Sequence, residues 1–309
     1  MTAEMIRAEL DKSYPGCRVL TGATLAVETG TVHALVGENG AGKSTLVKIL
    51  AGIVPADRGE LALGGARMPL AAWDRRAARR AHISIVQQHG AFAGSLSVVE
   101  NAVLGAEPTK RGLLDLKPTA AALAALGDKL GLAIDPWARV DRLSLGAAQR
   151  AEIVTALHAG AKLLILDEPT AVLAPVEVEG LLRMMRELAQ AGTTIVFVTH
   201  KLDEVRSAAD AVTVLRAGKT VATYAVAAER ALDTTAIARA MVGGELPVQS
   251  SIAAPASDAK IALALRGVAV AGDVAAAPGP GLATHAAAGR ALAEVAVELR
   301  KGRKARSPA

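Results

Sequence analysis

Residues 37–44 read Gly37-Glu38-Asn39-Gly40-Ala41-Gly42-Lys43-Ser44. The spacing is G-x-x-x-x-G-K-[ST], the pattern of a loop that wraps nucleotide phosphates. Glycines let backbone N–H groups converge on an anion, and a helix N-terminus behind them adds a favourable dipole. In such a loop the lysine, here Lys43, reaches the outer phosphates, and the hydroxyl of Ser44 ligates Mg²⁺. A second motif, the acidic pair Asp167-Glu168, follows four apolar residues, Leu163 to Leu166. A buried strand there would deliver Asp167 to the Mg²⁺ shell. Glu168, ionised and within about 3 Å of a water, would polarise that water for attack. Each motif alone has a plain alternative: a glycine turn that happens to carry Lys-Ser, or a strand end with two surface acids.

The flanking residues supply the elements these groups need. Val32 to Val36, broken only by His33, reads as a buried strand before the loop. After it, Leu46, Ile49 and Leu50 share one face of a helix that Gly52 stops. Residues 4–70 alternate short apolar runs with Gly and Thr, as short strands do, and 83–86 reads as another strand. Residues 113–160, rich in Ala and Leu, carry helical spacing, with a helix over Ala147 to Leu157 that Ser144 caps. Strands at Leu163–Leu166 and Ile195–Val198 flank a helix from Val176 to Ala189, whose Leu181, Leu182, Met185 and Leu188 share a face. Residues 211–224 return to strand spacing with a turn at Ala217-Gly218. Strands alternating with helices predict an α/β fold with a mainly parallel core sheet. Residues 246–260, small and polar, read as a linker.

The 309 residues allow about two domains, or one domain of ~240 residues plus an appendage. Only 2% of residues are aromatic, so Ala, Val and Leu must fill the core. No run of 18 uncharged apolar residues spans a bilayer, and the acidic and basic residues before Leu10 are wrong for a secretory signal. The single cysteine, Cys17, excludes an internal disulfide and suits the cytoplasm. Basic clusters lie at Arg75, Arg76, Arg79 and Arg80 and in the last ten residues. Without aromatic neighbours they read as a solvated helix face and a tail, and no nucleic-acid partner is expected.

A phosphate loop also serves GTPases, kinases and helicases; the stretch Leu143-Ser144-Leu145-Gly146-Ala147-Ala148-Gln149 narrows the choice. It lies just before the helix leading to the Leu163 strand, and there the chain resembles the ATP-binding cassettes of the ABC family, signature Leu-Ser-x-Gly-x-x-Gln. The resemblance implies a P-loop cassette over residues 4–245, with an N-terminal antiparallel β subdomain and a helical subdomain near 92–157. It implies that Ser144, Gly146 and Gln149 complete a nucleotide site on a facing cassette. It also implies that Tyr14 stacks on adenine, that Gln88 touches Mg²⁺ and the attacking water, and that His200 senses the γ-phosphate. Lys43 and the amides from Gly40 to Thr45 would hold the phosphates of ATP; Ser44, Gln88 and Asp167 would serve Mg²⁺; Glu168 would be the general base.

Gly37 to Thr45, Gly160 to Pro175 and Val198 to Val205 resemble the ATP-binding subunits of simple-sugar and nucleoside importers. That subgroup works at the cytoplasmic face of the membrane with permease subunits, a second cassette and, indirectly, an extracytoplasmic solute-binding protein. Two other readings stay open: an ABC ATPase of translation or nucleic acid, and an inactive nucleotide-binding remnant. Ala147, Ala148 and Ala174 depart from polar positions of the family. Aligning Gly302 with Gly30 pairs Leu292 with Leu20, Val297 with Leu25 and Leu299 with Val27, so residues 261–309 resemble the start of a second cassette. No second phosphate loop follows, which suggests a truncated or frameshifted tandem ATPase.

Overall fold

The computed structural model describes residues 4–87, 90–171, 173–226, 233–244, 261–272 and 291–300. The elements run β1 (Glu4–Tyr14), β2 (Cys17–Glu28), β3 (Val32–Val36), α1 (Lys43–Leu50), β4 (Arg58–Leu63), β5 (Ala66–Met68), α2 (Arg75–Arg80) and β6 (Ile83–Val86). There follow α3 (Val98–Val103), β7 (Thr109–Lys110), β8 (Leu113–Leu114), α4 (Lys117–Lys129), α5 (Leu145–His158), β9 (Leu163–Asp167) and α6 (Pro175–Gln190). The order ends β10 (Thr194–Thr199), α7 (Leu202–Ala208), β11 (Ala211–Arg216), β12 (Lys219–Ala225), α8 (Thr234–Val242), β13 (Ile261–Gly272) and β14 (Ala291–Arg300).

Two sheets organise the chain up to residue 244. The larger has the order β12-β11-β3-β10-β9-β6, and all its neighbours are parallel except the β11–β12 hairpin. β3 and β9 are buried at every position, because helices cover both faces of a parallel sheet. Burying one such aliphatic side chain contributes about 1.5–3 kcal/mol, so these short strands hold the centre of the fold. His33, the polar interruption of β3, is buried against Thr213 at 2.8 Å, and burial depresses its pKa to about 4, so it is neutral at pH 7. The smaller sheet, β2-β1-β4-β5, is antiparallel. Its strands β1 and β2 run for 11 and 12 residues, not the short strands expected from the sequence. They alternate buried and exposed positions, and register shifts near Glu4, Leu10 and Lys12 interrupt the period that would have revealed their length.

The helical subdomain is less continuous than its composition predicts. Leu113 and Leu114 form a strand of a small exposed hairpin, and α4 and α5 are separated by residues 130–144. Gly131 at φ 66° and Pro136 break the helical run. Two buried clusters divide the core: one between the sheet and α4–α8, the other between the sheet, α1 and the antiparallel strands.

The chain separates into two compact units, Met1–Leu246 and Pro247–Ala309. The linker expected at 246–260 lies outside the described residues. In the second unit β13 pairs with β14 in an antiparallel hairpin. Over its first four pairs its register repeats that of β1 and β2. The pairs Glu4–Glu28, Ile6–Val27, Arg7–Ala26 and Ala8–Leu25 become Ile261–Arg300, Leu263–Leu299, Ala264–Glu298 and Leu265–Val297, with the same irregularity after the first pair.

Candidate nucleotide site

The site starts where β3 ends. The chain leaves Val36, turns through Gly37 to Gly42, and enters α1 at Lys43. The turn is anchored from two sides. Ala41 N donates to Glu38 O at 3.2 Å within the loop, and Gly218 N, in the β11–β12 turn, donates to Ala41 O at 3.0 Å. Gly218 O accepts from Thr21 N of β2 at 2.8 Å, so one tight turn ties the loop to both sheets. Ala217 and Gly218 both lie at positive φ, as a two-residue hairpin turn requires.

Lys43 is buried, and its Nζ donates to Gly37 O at 2.8 Å and Glu38 O at 2.9 Å, folding the side chain back over the loop. Burial lowers its pKa, opposed by the nearby Glu168 and Asp167 carboxylates. Ser44 Oγ donates to Asp167 Oδ1 at 3.0 Å, across 123 residues of sequence. Burial pushes the Asp167 carboxyl above its ordinary range, partly offset by the Ser44 hydrogen bond and by Lys48. A hydroxyl and a buried carboxylate oxygen side by side are the hard donors that Mg²⁺ takes. Among the described residues no group of three or more His, Cys, Asp or Glu forms a cation cage. Two protein oxygens suit an ion that keeps waters and substrate phosphates as its other ligands.

Glu168 follows at the end of β9 with φ 50°, a left-handed conformation that a glutamate seldom adopts. Its N–H donates to Val198 O of β10 at 3.1 Å. Its Oε1 lies 3.8 Å from Nδ1 of His200, which is half exposed just after β10. Such strain concentrates where surrounding structure fixes a functional side chain. The structure thus brings Lys43, Ser44, Asp167, Glu168 and His200 around one loop. Gln88 lies outside the described residues. Tyr14 sits part-exposed at the tip of the β1–β2 hairpin, its ring 5.5 Å from Lys12 Nζ, which Asp57 holds at 2.8 Å.

Ser144, Gly146 and Gln149 lie elsewhere. Ser144 caps α5 by accepting from Ala147 N at 3.2 Å, and the helix begins two residues earlier than expected. Gly146 packs against Leu173 and Glu177 at the start of α6, leaving little room for a side chain. Gln149 Nε2 donates to Pro169 O at 2.5 Å, fastening α5 to the loop after Glu168. Arg150 pairs with Glu177 at 2.9 Å beside it. Among the described residues no hydrogen bond joins these three residues to the loop at 37–45.

Residues with no motif to announce them complete the framework. Glu204, buried in the first turn of α7, accepts from Thr170 and Thr199. Glu152, buried on α5, accepts from the backbone of Ala91 and Phe92. The one hint in the sequence is an acid on the inward face of an apolar helix.

The chain is similar to known proteins in both sequence and fold. The family described as ABC transporter matches residues 20–171. The chain is 44% identical over 237 residues to the ribose import ATP-binding protein RbsA 2 of Burkholderia cenocepacia, covering 76% of this chain and 46% of that protein. A second protein of that organism, assigned to ribose, galactose and methyl galactoside import, is 37% identical over 297 residues, covering 95% of this chain and 53% of its own. The chain therefore spans about half the length of the curated relatives it matches. Among solved structures, the ADP conformation of an ABC transporter's ATP-binding cassette matches the fold with a TM-score of 0.66 at 23% identity, covering 78% of this chain and 100% of that one.

Proposed function

We propose that this chain, whose residues 20–171 match the ABC transporter family, binds and hydrolyses ATP to drive uptake of a simple sugar or nucleoside through separate membrane permeases. The observation that carries the reading is the Ser44–Asp167 contact beside the Lys43 loop, which joins the two nucleotide motifs. The import assignment draws on relatives named for ribose and nucleoside import.

Lys43 and the amides from Gly40 to Thr45 hold the phosphates, and Tyr14 stacks on the base. Ser44 and Asp167, with Gln88, hold Mg²⁺, which when bound neutralises phosphate charge. Glu168 takes a proton from the attacking water as its oxygen bonds to the γ-phosphorus and the bond to the leaving ADP oxygen breaks, the electron pair departing with ADP. His200, next to Glu168, holds the γ-phosphate in line. Ser144 and Gly146 present amides to the site of a second cassette, and Gln149 supports that turn. The working assembly places the chain at the cytoplasmic face of a membrane, with permease subunits and an external solute-binding protein.

Residues 4–245 form the cassette, 246–260 the linker, and 261–309 begin a second cassette. The register that β13–β14 shares with β1–β2 over its first four pairs supports this division. So does a relative whose match covers 95% of the chain and hence reaches past residue 261.

The test is phosphate release from ATP by the purified chain and by Lys43→Ala. Turnover that needs Mg²⁺, rises more steeply than protein concentration and disappears in Lys43→Ala is expected. Turnover unchanged in Lys43→Ala overturns the reading.

A further inference from the structure

The buried carboxylate of Glu204 has no part in the steps above, yet it joins the two loops that perform them. It lies in the first turn of α7 and is 5% exposed, on the face that also buries Val205 and Ala208. Its Oε2 accepts from Thr199 Oγ1 at 2.7 Å, and Thr199 immediately precedes His200. Its Oε1 accepts from Thr170 Oγ1 at 2.6 Å, and Thr170 stands two residues after Glu168. Lys201 Nζ lies 3.2 Å from the same Oε1 and donates to Thr170 Oγ1 at 3.3 Å, while Lys201 N donates to Thr199 Oγ1 at 3.1 Å. Both hydroxyls are thus used as donor and acceptor at once, which fixes their rotors. A buried ion held this way adds little net stability compared with apolar packing, so stability alone does not account for it. What it does supply is a rigid bridge. One carboxylate grips the chain beside Glu168 with one oxygen and the chain beside His200 with the other.

We propose that Glu204 is a positioning residue that sets the separation of Glu168 and His200, with Thr170 and Thr199 as its two attachment points and Lys201 as the counter-charge. The proposal rests on the ATP-hydrolysis reading. Glu204 acts through Thr170 and Thr199 on the chain beside Glu168 and His200. A displacement of about 1 Å in such a pair costs about 100-fold in rate.

The test compares wild type, Glu204→Gln, the double variant Thr170→Val/Thr199→Val and the triple variant. The measurements are kcat and KM for ATP, binding of a fluorescent ATP analogue, and thermal melting. Glutamine keeps the shape but leaves its amide nitrogen unable to accept from one threonine. The expected result for Glu204→Gln is kcat lowered about 10–100-fold with analogue affinity within about threefold of wild type. The double variant reproduces that loss, and the triple variant adds nothing to it, because all three changes cut one bridge. Wild-type kcat in Glu204→Gln, affinity falling in step with kcat, or additive losses overturns the proposal. Should Glu204→Gln fail to fold, a fully active threonine double variant overturns it alone. A wild type without turnover instead brings down the functional reading, and the bridge's role with it.

Discussion

Replacing Gly37 by alanine probes the join between the core sheet and the phosphate loop. A Cβ there would stand 2.1 Å from the carbonyl oxygen of Leu215, where real Cβ contacts stay beyond 3.0 Å, so something must move by at least 3.0 − 2.1 = 0.9 Å. Leu215 is fully buried on β11, one residue past Val214, which pairs with Val36 in the parallel ladder. It has nowhere to retreat, so the loop gives way. Overpacking of this kind costs about 1–3 kcal/mol. At about 2–4 °C per kcal/mol for a domain of this size, the melting temperature falls by roughly 2–12 °C. The larger effect is on rate. Moving the start of the loop by about 1 Å displaces Lys43, whose Nζ is bonded to Gly37 O, and turnover drops about 100-fold. Phosphate-release kinetics and thermal melts read both quantities. Gly65→Ala is the control. Gly65 also has positive φ, at 82°, but its Cβ meets nothing within 4 Å, so that variant pays about 1 kcal/mol of strain and keeps its turnover. Parental turnover and melting in Gly37→Ala, or an equal loss of activity in Gly65→Ala, would refute the reasoning.

Three further outcomes are expected. Burial raises the Asp167 pKa, so the fold favours its protonated form; that contribution is present in full below the carboxyl's ordinary value of 3.8 and is lost as pH rises through the raised folded value. Asp167→Asn, which keeps an acceptor for Ser44, therefore raises the melting temperature of the nucleotide-free protein at pH 7, and the gain shrinks toward pH 4. An equal gain at both pH values argues against it. Ser144→Ala removes the cap on α5 and lowers stability by about 0.5–2 kcal/mol in denaturant titration; no change would mean the cap does not hold. Glu152→Ala leaves the Ala91 and Phe92 amides without their acceptor, and hydrogen exchange of that segment accelerates while β9 stays protected; uniform acceleration counts against a local role.

Sequence reading worked best where one physical cause dominates. β3, β9 and β10 stand out as unbroken apolar runs because both faces of the parallel sheet are covered. The loop at 37–44 and the Asp167-Glu168 pair stand out in the sequence by residue type and spacing, and the structure brings them together through Ser44 and Asp167. β1 and β2 were harder, since one face meets solvent and their bulges reset the alternation. The region 113–160 misled through composition: alanine and leucine favour helix, but Gly131, Pro136 and the exposed Leu113-Leu114 hairpin interrupt it. The framework of Glu204, Thr170 and Thr199 was invisible, since its partners lie 34 and 5 residues away and nothing local marks them.

The bond from Gln149 to the carbonyl of Pro169 has a consequence for any pair of cassettes. It fastens the turn at Ser144, which the proposed function gives to a neighbouring cassette, to the loop that follows Glu168. On the proposed function, a rearrangement around one bound nucleotide would then be felt mechanically at the other, and the two halves would not behave as independent engines. Occupancy plotted against ATP would bend away from a simple hyperbola, and breaking that single amide link would straighten it.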